Sequence, residues 1–271
     1  MNYVCLYSDQ DDLIVSEIFK DPKLSKQFEM VSLFDFLQYI EIDDEIDNDH
    51  IKIRWTLKNN KKISNENTFL VNRLTSLSQV NKFDLNDQNQ LSREIQSYFL
   101  FSLSQFKKSL SPSKYFSLTG NQFSLLEQWK IADKIKIKTP PYSIGHQDLS
   151  EPNKPNTIKT NIYNYFNWSV NNQNQKTNFI IEKPKGRPYF SYSFLNETYT
   201  TEPKDKIQQR VLNYTKKIAS KLKVDILEYL FFVDKENITF ASANPYLLSK
   251  NHNVKNFIKS ELKKLLKECS L

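Results

Sequence analysis

Hydrophobic and polar positions along the chain change period several times, and each change marks an element. Residues 3–7, Tyr-Val-Cys-Leu-Tyr, form a short apolar run of strand length. Leu13, Ile14 and Ile18 recur at helical spacing within 11–19, and residues 28–33 predict a second strand. Ile51-Lys52-Ile53-Arg54-Trp55 alternates with period two, and residues 68–72 are another strand-like run. Leu91, Ile95, Phe99, Leu103, Phe106 and Leu110 then lie down one side of a long predicted helix, closed by Ser111-Pro112-Ser113. These elements predict a small α/β domain over 1–113.

A helix over 121–134 follows Gly120, with Phe123, Leu126, Trp129 and Ile131 as its apolar positions, and the chain breaks at Pro140-Pro141. Residues 142–175 are polar and rich in Asn, with Tyr163, Tyr165, Phe166 and Trp168 as the main apolar content. Strands resume at 179–181 and 189–194, turned by Asn196-Glu197. Ile207, Val211, Tyr214, Ile218 and Leu222 define an amphipathic helix that leads into the nearly continuous apolar run 226–233. Asp234-Lys235-Glu236-Asn237 turns that run into 238–241. In the last helix Val254, Ile258, Leu262 and Leu265 make an apolar stripe, and Lys255, Lys259, Lys263 and Lys267 recur every four residues on what is predicted to be the solvent side. The fold class is α/β of the α+β kind, with a second domain over 114–271 whose antiparallel sheet is packed by helices.

Composition narrows the function classes. With 271 residues, 39% hydrophobic and 13% aromatic, the chain carries a core rather than disorder. No run approaches the roughly 20 apolar residues of a membrane span, and no basic-then-apolar leader opens the sequence, so a cytoplasmic protein away from membranes is expected. Cys5 and Cys269 form no spaced set with His50, His146 and His252, which argues against zinc and against a disulfide framework. Sequons at Asn167, Asn196, Asn213 and Asn237 follow from the abundance of Asn. Net charge is +7, yet residues 41–49 are strongly acidic; with no Gly for the bend of a calcium loop, they predict a solvated loop. No stacking aromatics interleave with the C-terminal lysines, which argues against a nucleic-acid groove.

Two residues stand out chemically. Glu228 lies inside the apolar run 224–233, so it either sits at an edge or surface position or meets a cation, a donor or water at a cleft. Asn244, in Ser242-Ala243-Asn244-Pro245, either caps a turn or offers an oxygen to a metal.

The order of these pieces resembles the ATP-grasp superfamily, particularly the ligases that add glutamate to ribosomal proteins and the microviridin-type peptide maturases. The resemblance rests on Asn72-Arg73 closing an early strand, on Gly120-Asn121-Gln122-Phe123 through Leu126, Trp129, Ala132 and Ile137 to Pro140-Pro141, on Ile181-Glu182-Lys183-Pro184 followed by Gly186-Arg187-Pro188-Tyr189, and on the final acidic strand with Asn244-Pro245. It implies a pre-ATP-grasp-like domain followed by an abbreviated ATP-grasp-like domain, with ATP and Mg2+ as cofactors and a carboxylate activated by phosphorylation for attack by an amine. By the same resemblance Glu228 and Asn244 are the metal residues, Glu182 with Lys183 or Lys159 contacts nucleotide, and Arg187 contacts substrate.

Three departures accompany the match. Gln122 stands where the family has a Lys, Ser242 stands where it has the Glu of Glu-x-Asn-Pro, and residues 142–178 contain one glycine, Gly145, rather than a phosphate-covering glycine run. Two functions follow. One is a degenerate ATP-grasp-like protein, a binding or accessory partner in peptide or amino-acid ligation, whose partner is a peptide or an intact ligase and which needs no cofactor. Tyr163, Trp168 and Tyr189 would then line a cleft for an extended peptide. The other is an active ATP- and Mg-dependent carboxylate–amine ligase built around Glu228, Asp225 and Asn244.

Overall fold

The computed structural model describes residues 1–48, 50–75, 77, 88–111, 118, 123–144, 156–162, 168 and 179–268. They form two compact units, 1–122 with 246–271, and 123–245.

In the first unit β1 (Asn2–Tyr7) leads through α1 (Leu13–Lys20) and the short α2 (Pro22–Ser25) to β2 (Phe28–Ser32), which pairs with it in parallel, and then to α3 (Leu33–Tyr39). Asp12 and Asp21 start α1 and α2 by accepting from the backbone N–H groups two and three residues on. β3 (Glu41–Ile42), β4 (Glu45–Ile46), β5 (Ile51–Lys52), β6 (Arg54–Thr56) and β7 (Lys62–Ser64) make two small antiparallel ladders. β8 (Thr68–Arg73) returns in parallel to the other side of β1. After α4 (Gln88–Ser104), β9 (Ser109–Leu110) completes the order β2-β1-β8-β9. Val4, Leu6, Phe36, Trp55, Leu70, Phe99 and Leu103 share its core.

Two expectations change here. The long helix stops at Ser104 rather than reaching Leu110. Tight bonds from the Gln105 and Phe106 N–H groups to Ser102 and Leu103 end it, and Leu110 pairs with Val71 as an edge strand. The acidic stretch 41–48 is not a free loop either. Its strands pair with β5 and β6, Arg54 reaches Asp43 at 3.2 Å and Glu45 at 3.3 Å, and Asp44 accepts from the Tyr98 hydroxyl at 2.9 Å, which accepts in turn from Trp55 Nε1 at 2.7 Å. Asp49 lies outside the described residues.

The second unit begins with α5 (Leu125–Lys134), started by a capping box between Ser124 and Glu127. Residues 121 and 122, expected in this helix, lie outside the described residues. β10 (Tyr142–Ile144), β11 (Thr157–Thr160) and β12 (Phe179–Glu182) form a three-stranded antiparallel sheet with β12 in the middle. β13 (Arg187–Phe194) and β14 (Glu197–Tyr199) form a hairpin, α6 (Lys206–Leu222) follows, and the hairpin β15 (Ile226–Asp234) with β16 (Asn237–Asn244) completes a four-stranded sheet of order β14-β13-β15-β16. Tyr189, expected in a cleft, is 1% exposed in the core, and Trp168 packs on Phe232 at 5.7 Å between centroids. Tyr163 lies outside the described residues.

The last helix, α7 (His252–Glu268), belongs to the first unit and packs on α1, whereas the sequence grouped it with the second domain. Its lysine stripe does not simply face water. Lys259 approaches Glu17 at 3.7 Å and Asp21 at 3.8 Å, and Lys263 donates to Asp21 at 2.7 Å. The Lys263 hydrogen bond holds the Asp21 carboxyl below its ordinary range. Folding thus favours the charged carboxylate, so its contribution is full above the unfolded value of about 3.9 and is lost as pH falls through the lower folded value. Asp21→Asn keeps a good cap for α2 but removes the charge. It is expected to cost about 1 kcal/mol at neutral pH and to flatten the acid limb of stability, measured by urea unfolding between about pH 3 and 7.

Candidate functional site

Register in the four-stranded sheet builds the site. Tyr192 on β13 is opposite Glu228 on β15, and Glu228 is opposite Asn244 on β16, so the three form one row across three strands. Residues directly opposite in a ladder project from the same face. The alternate set, Ser191, Ser193 and Tyr229, faces α6: Ser191 and Thr215 hydroxyls meet at 2.6 Å, and Ser193 Oγ lies 3.0 Å from the Tyr229 hydroxyl. Burial pushes the Tyr229 phenol well above its ordinary value, so it stays neutral on that side. Tyr192, Glu228 and Asn244 therefore occupy the face turned away from α6. The next row on that face is Phe190, Leu230 and Ser242.

All the polar members of these rows are enclosed. Glu228 is 7% exposed, Asn244 3%, Tyr192 3% and Ser242 1%. Glu228 is in a central strand, not at an edge, and Asn244 ends its strand inside the ladder rather than in a turn.

The other sequence candidates separate into two places. Lys159 pairs with Ile180 and Glu182 with Thr157, so alternation sets Lys159 and Glu182 on one face of the three-stranded sheet while Ile158 and Ile181 enter the core on the other. The Glu182 N–H donates to Pro141 and the Lys183 N–H to Asn156, which fixes the exit of β12. Among the described residues neither lysine is in an ion pair. Arg187 is not brought to Glu228. It stands five positions before Tyr192, about 17 Å along β13, in the row of Tyr189 and Ser191. Its guanidinium donates to Glu202 at 2.6 Å, and that hydrogen bond raises its pKa further. Asp225, the third carboxylate of the ligase alternative, precedes β15, and its carbonyl accepts from the Leu195 N–H at 2.6 Å.

Two residues of this neighbourhood escaped sequence reasoning. Tyr192 was legible only as one of several strand aromatics, and its place beside Glu228 follows from a pairing of strands 36 positions apart. Gln128, on α5, is 2% exposed and hydrogen-bonds both backbone groups of Ala243, next to Asn244. No motif marks it.

Solved structures match the chain over nearly its whole length and show that its fold is the ATP-grasp fold. The macrocyclase MdnC of Microcystis aeruginosa MRC, solved with its precursor peptide MdnA, superposes with a TM-score of 0.66 at 9% identity over 97% of this chain and 100% of that one. A RiPP-associated ATP-grasp ligase of Chryseobacterium gregarium, solved with ADP and a leader and core peptide, gives 0.64 at 14% identity over 97% of each. D-alanine–D-alanine ligase of Bacillus anthracis gives 0.54 at 11% identity over 98% of this chain and 96% of that one. No family model matches the chain, and no curated protein matches it in sequence. Among the described residues no helix is long and apolar enough to cross a membrane.

Glu228 and Asn244 offer a magnesium ion one carboxylate and one amide oxygen from the same sheet face. Mg2+ is held by one or two carboxylates and takes its remaining ligands from phosphates and water, which a single acid with a neighbouring amide oxygen satisfies. Ser242, in the adjoining row on that face, adds a neutral hydroxyl. Among the described residues no group of three or more His, Cys, Asp or Glu is placed to hold a metal ion.

Proposed function

We propose that this protein is a peptide-directed ATP-grasp protein with a reduced nucleotide site. It holds a single magnesium nucleotide through Glu228 and Asn244 and acts as a binding or accessory partner in peptide ligation. The carrying observation is the row Tyr192–Glu228–Asn244 with Ser242 in the adjoining row: one acid and one amide face the same side, and the place of a second acid is uncharged. Fold neighbours solved with precursor peptides support the peptide as the partner. Where the nucleotide sits, magnesium supplies neutralisation of phosphate charge. The chain itself supplies position: Glu228 gives the anionic oxygen, Asn244 the amide oxygen, and the enclosing Tyr192 limits water beside both. Lys159 and Lys183, with Glu182 at the exit of β12, remain the candidates for nucleotide contact.

A working carboxylate–amine ligase is the second reading, favoured by the intact register of Glu228 with Asn244. Titration calorimetry with ATP, with and without magnesium, tests the first. Parent protein is expected to bind micromolar Mg-ATP, and Glu228→Gln to lose the magnesium-dependent part, a drop of at least about tenfold. Silence of the parent toward Mg-ATP would sink the nucleotide site. ADP formation stimulated by a precursor-type peptide and abolished in Glu228→Gln would replace the accessory role with the ligase.

A further inference from the structure

We propose that Gln128 is a positioning residue whose side-chain amide holds the outer edge of β16 so that Asn244 stays opposite Glu228. The inference rests on the reading of Glu228 and Asn244 as a ligand pair and adds what keeps the pair in phase.

β16 carries a register shift. Leu230 pairs with Ser242, but the next residue of β15, Phe231, pairs with Phe240, leaving Ala241 as an extra residue in the ladder. Because side chains alternate with a period of two, that one residue decides which face Ser242 and Asn244 occupy. A slip of one position would turn Asn244 toward the helices and put the methyl of Ala243 opposite Glu228.

Two neighbours on α5 hold this stretch. Trp129 Nε1 donates to the Ala241 carbonyl at 2.8 Å. Gln128 does more: its Nε2 donates to the Ala243 carbonyl at 2.9 Å, and its Oε1 accepts from the Ala243 N–H at 2.6 Å. One side-chain amide thus satisfies both outward groups of a strand residue, as a neighbouring strand would. Nε2 also donates to the Phe123 carbonyl at 3.1 Å, and the capping box at Ser124 fixes the helix that presents it. Residues 241 and 243 are pinned from outside, and Asn244 is the next residue.

The test uses the full chain and ATP with and without magnesium. Gln128→Met, similar in length but unable to hydrogen-bond, is expected to reduce the magnesium-dependent gain in ATP affinity about tenfold while leaving magnesium-free ATP affinity in place. Ser191→Ala, which removes a buried hydrogen bond on the α6 side, serves as the control: it lowers thermal stability and keeps the gain. An unchanged gain in a folded Gln128→Met would overturn the proposal. A parent with no magnesium-dependent gain would remove the ligand-pair reading instead, and the Asn244 side-chain amide NMR signals then decide the positioning separately. Their displacement or doubling in Gln128→Met supports it, and unmoved signals overturn it.

Discussion

Arg73→Met is expected to cost the first unit about 3–5 kcal/mol, because it strands the carboxylate of Asp12 in the core. Arg73 is 1% exposed, and its Nε and Nη2 clasp both Asp12 oxygens, with Nη2 at 2.5 Å from Oδ2. Burial works against the guanidinium charge, but Asp12 more than offsets it and holds Arg73 more firmly protonated than usual. The same carboxylate caps α1 through the Ile14 and Val15 N–H groups, so the pair fastens a helix start to the end of β8. Pairing Arg73→Met with Asp12→Ser should recover much of the loss, since serine keeps the cap without the charge. Urea unfolding of the two variants measures this. A loss under about 1 kcal/mol for Arg73→Met alone would mean that the pair behaves like an exposed one.

Gly186→Ala is expected to destabilise the second unit by about 3 kcal/mol or more. Gly186 has φ +101°, and a Cβ there would lie 2.2 Å from the Val233 carbonyl oxygen and 2.7 Å from the Asp234 nitrogen. Both obstacles are backbone, so nothing flexible can give way. The ladder of β13 with β15 starts at the next residue, Arg187 opposite Val233, and runs to Tyr192 opposite Glu228. A displaced start therefore reaches the site as well as the core. The expected results are a lower urea midpoint and loss of the magnesium-dependent ATP binding proposed above. A variant as stable as the parent would show that the crossing relaxes without effect.

Several features were legible in the sequence because local rules alone determine them. The amphipathic run Ile207 to Leu222 is α6, the apolar run 226–233 falls in β15, and its charged turn joins the hairpin as expected. Glu228 was conspicuous as a carboxylate among apolar neighbours. Others failed where a distant partner overrode the local pattern. Leu110 fits the helical period of α4 but pairs with Val71, and the acidic residues 41–48 stay mostly exposed, as expected, but form short strands held by Arg54 and Tyr98 rather than a loop. Arg187, quoted for the resemblance, donates to Glu202. Asn72, quoted for the resemblance, turns out to donate to the Ser111 and Leu118 carbonyls and to accept from the Leu74 N–H, which pins the chain beside β8.

By itself the sequence determined the class and order of the longer helices and strands and the two chemically conspicuous residues, because period, caps and turns act over a few positions. Tertiary structure alone decided that Glu228 and Asn244 share a face, that Tyr192 joins them and that α7 returns to the first unit. Those outcomes depend on register between distant strands and on one extra residue in β16, and a shift of a single position reverses every side chain.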